Sequence, residues 1–420
     1  MTENQKKRIL VIADSPLVPS GVGTQTKYMI EGMLNTGEFS FACLAGAIKH
    51  EDYRPQKVQP FGDDWVIHPV DGYGNPEVIR EMLHFYKPDA LWFMTDPRFY
   101  VWLWEMEDEI LKNVPMIYYH VWDNHPYPRF NKKFYDSNDV VCTISKVTDD
   151  IVRNVSPSVK CIRVPHTCDT DVFKKMNKQS YEHLIVEAKA QNKLVFFWNN
   201  RNARRKQSGT LIFWFKEFLD EVGHDKAMLI MHTEPKDPHG QDLEEIINEL
   251  SLTNNQVLLS VQKMPPLDLA KVYNLADCTI NIADAEGFGL ATLESLACET
   301  PIIVNMTGGL QEQVTDGDDN WFGVGIQPSS KAVIGSQDVP YIYEDRIAKE
   351  DFLEALDIIY KMSKEEREAM GRKGRDHVLQ NYGMSRYKGQ WYEIFKDVFQ
   401  NFGSWESRKN YKSWELLELC

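Results

Sequence analysis

Short apolar runs recur along this chain, separated by amphipathic stretches, in an order that alternates strand with helix. "RILVIAD" (Arg8–Asp14) is a continuous apolar run of the kind that a sheet buries on both faces. A Pro/Gly/Ser loop follows, "SPLVPSGVG" (Ser15–Gly23). "TQTKYMIEGMLNTG" then sets Tyr28, Met29, Ile30, Met33 and Leu34 at helical spacing and stops at Gly37. "FACLAG", "DALWFMT", "PMIYYHVW" and "VVCTIS" read as further strands, with helical stretches between several of them. This alternation predicts an α/β protein built on largely parallel sheets with helices on both faces.

A second series begins after "IRVPHTCDTDVFKKM" (Ile162–Met176) and the polar stretch "NKQSYEHLIVEAKAQN", which reads as a linker region. Its strands are "KLVFFWNN", "AMLIMHT", "QVLLSV", "DCTINIAD" and "TPIIVNM"; its helices are "GTLIFWFKEFLDEVG", "DLEEIINEL" and "LDLAKVYNLA". Each series has the size of one doubly wound domain. The expected division is residues 1–178 and 179–387, with an aromatic-rich amphipathic tail, 388–420, joining the first domain. The stretch 327–347 is less periodic and reads as a long loop or small subdomain.

Composition narrows the function classes. Hydrophobic residues make up 43% and charged residues 26%, as in soluble globular proteins. A formal net charge of −15 opposes broad attraction to nucleic acid or anionic membranes. Two local basic clusters survive, Arg201–Lys206 and Arg129–Lys133. No apolar run reaches the roughly 18–20 residues that span a bilayer, and the N-terminus lacks a signal-peptide pattern. The seven cysteines are scattered, odd in number and without a Cys-x-x-Cys pair. The expectation is reduced thiols in a cytoplasmic protein.

Three stretches carry candidate chemistry. Gly21 and Gly23 follow the first strand, where backbone N–H groups can meet an anion at a helix N-terminus; two glycines alone also fit a plain tight turn. "RNARRK" follows the first strand of the second series, at the carboxyl edge where α/β sheets bind ligands. There Arg201 and Lys206 can converge on one diphosphate, and Arg204 or Arg205 can do so instead. "EGFGLATLE" runs from another strand through a glycine turn into a helix. A carboxylate at Glu286, at the turn, can face sugar hydroxyls beside an anion held there; Glu294, about two helical turns on, can accept both hydroxyls of a ribose.

"EGFGLATLE" resembles the Glu-x7-Glu signature of retaining glycosyltransferases of family four. "SGVGTQTKYM" looks like that family's N-terminal glycine loop, "VPHTCDTDVF" its interdomain segment, "RNARRK" its Arg-x4-Lys donor clamp, and "TPIIVNMTGGLQEQVTDGDDN" the strand and loop that follow. The resemblance covers nearly the whole chain. It implies the GT-B fold, two Rossmann-like domains facing each other across a cleft, with the C-terminal helix crossing back to the first domain. It implies a metal-independent, retaining hexosyltransferase that needs no cofactor beyond a nucleoside diphosphate sugar of UDP or GDP type. Donor binding falls to Gly21, Gly23, Arg201, Lys206, Gly287, Phe288, Gly289, Leu290 and Glu294, and catalysis to Glu286, His120, Arg201 and Lys206. His120 matches the family's histidine at the end of a first-domain strand; His125 is a nearby rival. The acceptor-side candidates are Trp122, Asp123, His125, Arg98 and Arg129. A glycan or small-molecule hydroxyl is the favoured acceptor. A hydroxymethylated DNA base is the second, which the net charge disfavours, and a sugar-nucleotide epimerase or binder is the remaining alternative. Asn200, Glu299 and "PHTCD" depart from the family's pattern, and 327–347 has no counterpart in it.

Overall fold

The computed structural model describes residues 6–412, which divide into two compact units. The first comprises the chain to His166, Ser336–Pro340 and the stretch from Ser385 onward; the second comprises Thr167–Gly335 and Tyr341–Met384. The division lies earlier than the expected 178/179. Residues after His166 are held by second-unit groups: Thr167 donates to the Tyr382 carbonyl at 2.6 Å, and Asn274 to the Lys174 carbonyl at 2.9 Å.

The first unit is an eight-stranded sheet. Its strands are β1 (Lys7–Asp14), β2 (Phe39–Gly46), β3 (Gln56–Val58), β4 (Gly62–Pro69), β5 (Ala90–Thr95), β6 (Met116–His120), β7 (Val140–Thr143) and β8 (Lys160–Arg163). They lie in the order β3-β4-β2-β1-β5-β6-β7-β8, parallel except where β3 pairs antiparallel with β4. The apolar runs form its fully buried centre. β3, β4 and β8 were not among the expected strands, because none is a continuous apolar run. β4 alternates Trp65 and Ile67 inward with Asp64 and His68 outward, and all four residues of the edge strand β8 are half-buried.

Helix α1 (Gly21–Leu34) starts earlier than expected, inside the segment read as a loop. Ser20 caps it, accepting the Gly23 N–H at 2.9 Å and donating to the Asp14 carboxylate at 2.6 Å. Gly23 lies so close to the preceding loop that a Cβ there would stand 2.6 Å from the Ser15 carbonyl oxygen. The C-terminal helix Met384–Phe402 buries Tyr387, Trp391, Ile394, Phe395 and Val398, one stripe at helical spacing. Trp391 meets Trp92 and Tyr119 at centroid distances of 5.6 and 5.0 Å. Beyond the helix, buried Arg408 closes on Asp139 at 2.8 Å. The C-terminal segment is thus part of the first unit's core.

The second unit holds six strands: β9 (Leu194–Asn199), β10 (Ala227–His232), β11 (Val257–Ser260), β12 (Cys278–Asn281), β13 (Ile302–Asn305) and β14 (Gly323–Ile326). They pair in the order β11-β10-β9-β12-β13-β14, parallel throughout. The register sets Cys278 beside Phe196 and Thr279 beside Phe197, so Asn281 and Asn199 end neighbouring strands on one edge. The segment 327–347 is neither loop nor separate subdomain. It forms an antiparallel hairpin, β15 (Ser330–Ile334) with β16 (Ile342–Arg346), in register from Ser330↔Arg346 to Ile334↔Ile342.

The cysteines at 43, 142, 161, 168, 278 and 298 are free thiols; Cys420 lies outside the described residues. Among the described residues no helix is long and apolar enough to cross a membrane.

Candidate functional site

The carboxyl edge of the second sheet gathers the charged groups. From β9 the chain passes through Asn199 and Asn200 into a loop anchored by Asn202, which is 0% exposed. Its amide donates to the carbonyls of Pro235 and Gln241 at 3.1 and 2.7 Å, while its oxygen accepts from Ser208 at 2.7 Å. This fixes a single helical turn, Arg204–Lys206, from which helix α2 (Ser208–Val222) departs through Gln207 in the left-handed region, φ 58°. Two neighbouring strands, β9 and β12, thus present their carboxyl-terminal loops side by side.

Lys206 reaches the β12 loop. Its side chain is 9% exposed and its ammonium is bonded to the Glu286 carboxylate, itself 13% exposed. Asn281 donates to the same carboxylate oxygen at 3.3 Å, and the Arg205 guanidinium donates to the Ala285 carbonyl next door. Burial by itself would raise the Glu286 carboxyl; the positive charges of Lys206 and Arg205 outweigh it and hold the group below its ordinary value. Glu286 is therefore a carboxylate at neutral pH, and a cation pair stands beside it.

After Glu286 the backbone turns through Gly287 and buried Phe288 to Gly289, which caps helix α3 (Leu290–Ala297) at φ 90°. A side chain at Gly289 would be strained in that conformation, and its Cβ would stand 2.5 Å from Leu310. Fully buried Gln313 clamps the turn, donating to the Phe288 and Gly289 carbonyls at 2.7 and 3.1 Å and accepting from Thr292 at 2.7 Å. The arrangement fixes the start of α3, whose first N–H groups have no partner within the helix, next to Lys206 and Arg205.

Glu294 sits further along α3. Tyr273 donates to it at 2.9 Å, and Asn199 in turn donates to the Tyr273 oxygen at 2.9 Å. Burial pushes the Glu294 carboxyl up to about 7, with the Tyr273 hydrogen bond opposing it. The two glutamates are thus tied to neighbouring strand ends: Glu286 to Asn281 of β12, Glu294 through Tyr273 to Asn199 of β9.

Arg201 is not in this cluster. Its guanidinium is forked onto Asp237 at 2.6 and 3.1 Å, with the side chain 60% exposed. The neighbouring cations divide the work that sequence left open. Arg205 joins Lys206 at Glu286, while Arg204 is held by the hairpin. Glu344 of β16, 2% exposed, takes the Arg204 fork, one bond being 2.9 Å. Asp345 adds a backbone bond to the Asp284 carbonyl at 2.8 Å, and Asp284 N–H bonds the Arg205 carbonyl at 2.8 Å. Thr307 and Asn305 bond Asp345 at 2.7 and 2.8 Å. The hairpin is thereby knitted to the cation turn and to the loops after β12 and β13. Gln313, Tyr273, Asn199 and Glu344 were not singled out as site residues, and Arg205 stood only as an alternative to the Arg201–Lys206 pair. "GGLQEQV" carried the only sequence signal for any of them beyond the basic cluster itself.

In the first unit His120 ends β6 with 0% exposure. Its ring nitrogens lie 3.0 and 2.8 Å from the hydroxyls of Tyr118 and Tyr135, and burial depresses its pKa to about 3. It is a neutral imidazole with both nitrogens occupied, not a group open to a ligand. Gly21 is exposed in the first turn of α1, and the Gly23 N–H is bonded to Ser20. Trp122 is buried and donates to the Asn124 carbonyl at 2.9 Å. Asp123 and His125 are half-buried, Arg129 is exposed, and Arg98 pairs with Asp96 at 3.1 Å.

The chain is similar to known proteins in sequence and fold. Residues 182–377 match the family model described as glycosyl transferases group 1. A D-inositol 3-phosphate glycosyltransferase of Corynebacterium jeikeium is 26% identical over 208 residues, 48% of this chain and 49% of that protein. An N-acetyl-alpha-D-glucosaminyl L-malate synthase of Bacillus anthracis is 19% identical over 267 residues, 63% of this chain and 61% of that protein. The chain thus spans about half to three fifths of the length of these relatives. Among solved structures, a sucrose-phosphate synthase from Thermosynechococcus elongatus superposes with a TM-score of 0.73 at 16% identity, covering 94% of this chain and 100% of that one. The Anabaena protein HepE, solved in complex with UDP-glucose, gives 0.68 at 12% identity, covering 93% and 99%. The fold is that of the GT-B glycosyltransferases.

Proposed function

We propose that this chain, whose residues 182–377 match the family model described as glycosyl transferases group 1, moves a sugar from a nucleoside diphosphate sugar to a hydroxyl acceptor, with retention at the anomeric carbon and without a metal ion. One observation carries the reading: the Lys206–Glu286 pair at the glycine turn that starts α3, with Glu294 further along the same helix. A diphosphate against Lys206, Arg205 and the first amides of α3 has its charge neutralised by cations, backbone donors and the helix dipole together. Glu286 then accepts from hydroxyls of the sugar. Glu294, poised by Tyr273, accepts from the ribose.

In the reaction the bond from the anomeric carbon to the distal phosphate oxygen breaks as the acceptor oxygen bonds the same face of that carbon. The departing phosphate takes the acceptor's proton. Lys206 and Arg205 stabilise the negative charge that grows on the leaving group, the step at which preorganised donors count most. Arg201 enters this account only by exchanging Asp237 for the donor. His120 is assigned to packing. The complex of HepE with UDP-glucose supports a UDP-sugar donor, and the names of the aligned relatives support a small polar acceptor. The exposed basic loop at Arg129 gives little support to DNA, since Lys132 pairs with Asp136.

The test is product analysis with UDP-glucose labelled at the anomeric carbon and a panel of small polyols, hydroxy acids and sugar phosphates. The reading expects one equivalent of nucleoside diphosphate per transferred label, with the donor's anomeric configuration kept in the product. Inverted product, or nucleoside diphosphate released only with free sugar across donors and acceptors, contradicts it.

A further inference from the structure

A cavity of about 820 Å³ lies at the opposite edge of the second unit's sheet, lined by Val195, Asp277 and Pro301 at the starts of β9, β12 and β13. Its other walls are the stretch from Lys175 to Lys178 with Tyr181, the approach to β9 from Ala190, the end of the helix Pro266–Leu275 and the start of the helix Lys364–Asn381. None of these residues belongs to the Glu286 turn. The volume falls within the roughly 300–1,000 Å³ of small-molecule sites.

The charges around it are unbalanced. Arg367 is paired with Asp277 at 3.3 Å and Lys364 with Glu368 at 3.8 Å. That leaves Lys175, Lys178 and Lys193 on the lining, against the carboxylate of Glu299. Three lysines thus line one hollow, in a chain whose net charge is −15; Lys193 also acts on the Asp225 carboxylate. A dianion bound among them gains charge-assisted bonds. The remaining lining suits a hydroxylated body: the carboxamides of Asn177, Gln191 and Asn192 can donate and accept, and Tyr181 offers an apolar ring face. The space is far larger than a bare phosphate requires.

We propose that this cavity is a second ligand site, for a phosphate monoester carried on a sugar. Its occupant would lie close to the donor-site machinery in the chain. Asn274 lines the cavity and bonds Lys174 and Met176 at 2.9 and 2.8 Å, while the preceding residue, Tyr273, holds Glu294. Thr300, also on the lining, donates to the Tyr273 carbonyl at 2.7 Å.

The experiment is calorimetric titration of the full chain with glucose 6-phosphate, inorganic phosphate and glucose. Each is repeated on Lys206→Ala, on the triple variant Lys175→Ala/Lys178→Ala/Lys193→Ala, and on the single reversal Lys178→Glu. The lysines are exposed or half-buried, and unchanged melting temperatures verify that the variants fold. Expected is one glucose 6-phosphate per chain, no binding of glucose, unchanged affinity in Lys206→Ala, and affinity weakened at least about tenfold in the triple variant, with Lys178→Glu in the same direction. Inorganic phosphate binding as tightly as glucose 6-phosphate in the same lysine-dependent way removes the sugar from the assignment. Absence of binding by either phosphate, equal affinity in the triple variant, or loss in Lys206→Ala overturns the site.

Discussion

Lys206 and Glu286 are each other's main counter-charge in an almost closed setting, so replacing either leaves the other poorly compensated. Lys206→Ala is expected to lower turnover by about two to three orders of magnitude, the cost of removing one preorganised donor from a developing anion. Steady-state kinetics at saturating donor measures it, and a loss below tenfold speaks against the role. Glu294 gives a pH signature. Burial raises its carboxyl to about 7, so the folded group holds its proton while the unfolded one, with an ordinary value, has lost it. Folding stability contributed by this group therefore declines as pH rises from the ordinary carboxyl range through about 7. Over the upper part of that window the group becomes the better ribose acceptor, so the donor KM is expected to fall as pH rises through about 7. Glu294→Gln removes both trends; a donor KM whose pH profile is the same in the variant contradicts the assignment.

At the scale of elements, the hairpin β15–β16 does for the cation turn what Gln313 does for the glycine turn: it fixes a backbone from outside. Arg204 is half exposed, yet its partner Glu344 is 2% exposed and also bonds Arg346 at 3.2 Å. Burial raises the Glu344 carboxyl, and Arg204 and Arg346 bring it below its ordinary value. Glu344→Ala leaves Arg204 unpaired and loosens the turn that carries Arg205 and Lys206. The expected result is a donor KM raised about three- to tenfold with a smaller change in kcat, since a ground-state contact is lost. Glu344→Asp is expected to recover part of it. An unchanged KM with a lowered melting temperature would make the hairpin a purely stabilising element.

For the whole molecule, the first unit's sheet depends on a helix from the far end of the chain. Trp391 is fully buried between Trp92 and Tyr119, and Trp391→Ala is expected to cost about 3–5 kcal/mol, read as a lowered urea midpoint. A shift under about 1 kcal/mol would mean that the helix only lies on the surface. Much of this architecture was legible in the sequence: continuous apolar runs marked β1, β2, β5, β6, β7 and β9 to β13, and the stripe from Tyr387 to Val398 marked a packed tail. β4, β8 and the hairpin were not, since they bury only one face or little of either, and their polar residues hide the strand period. The site was legible by position along the chain but not by side-chain direction. Lys206, Glu286 and the glycine turn converge, whereas Arg201 finds Asp237, a partner 36 positions away that no local pattern announces. His120 stands at its expected strand end, but the two tyrosines that enclose it come from packing. The measurement that bears hardest on the whole account is calorimetric titration of UDP-glucose into the wild-type chain and into Lys206→Ala. One site per chain, weakened at least about a hundredfold by the substitution, is the expected result. Equal affinity in the two proteins contradicts it.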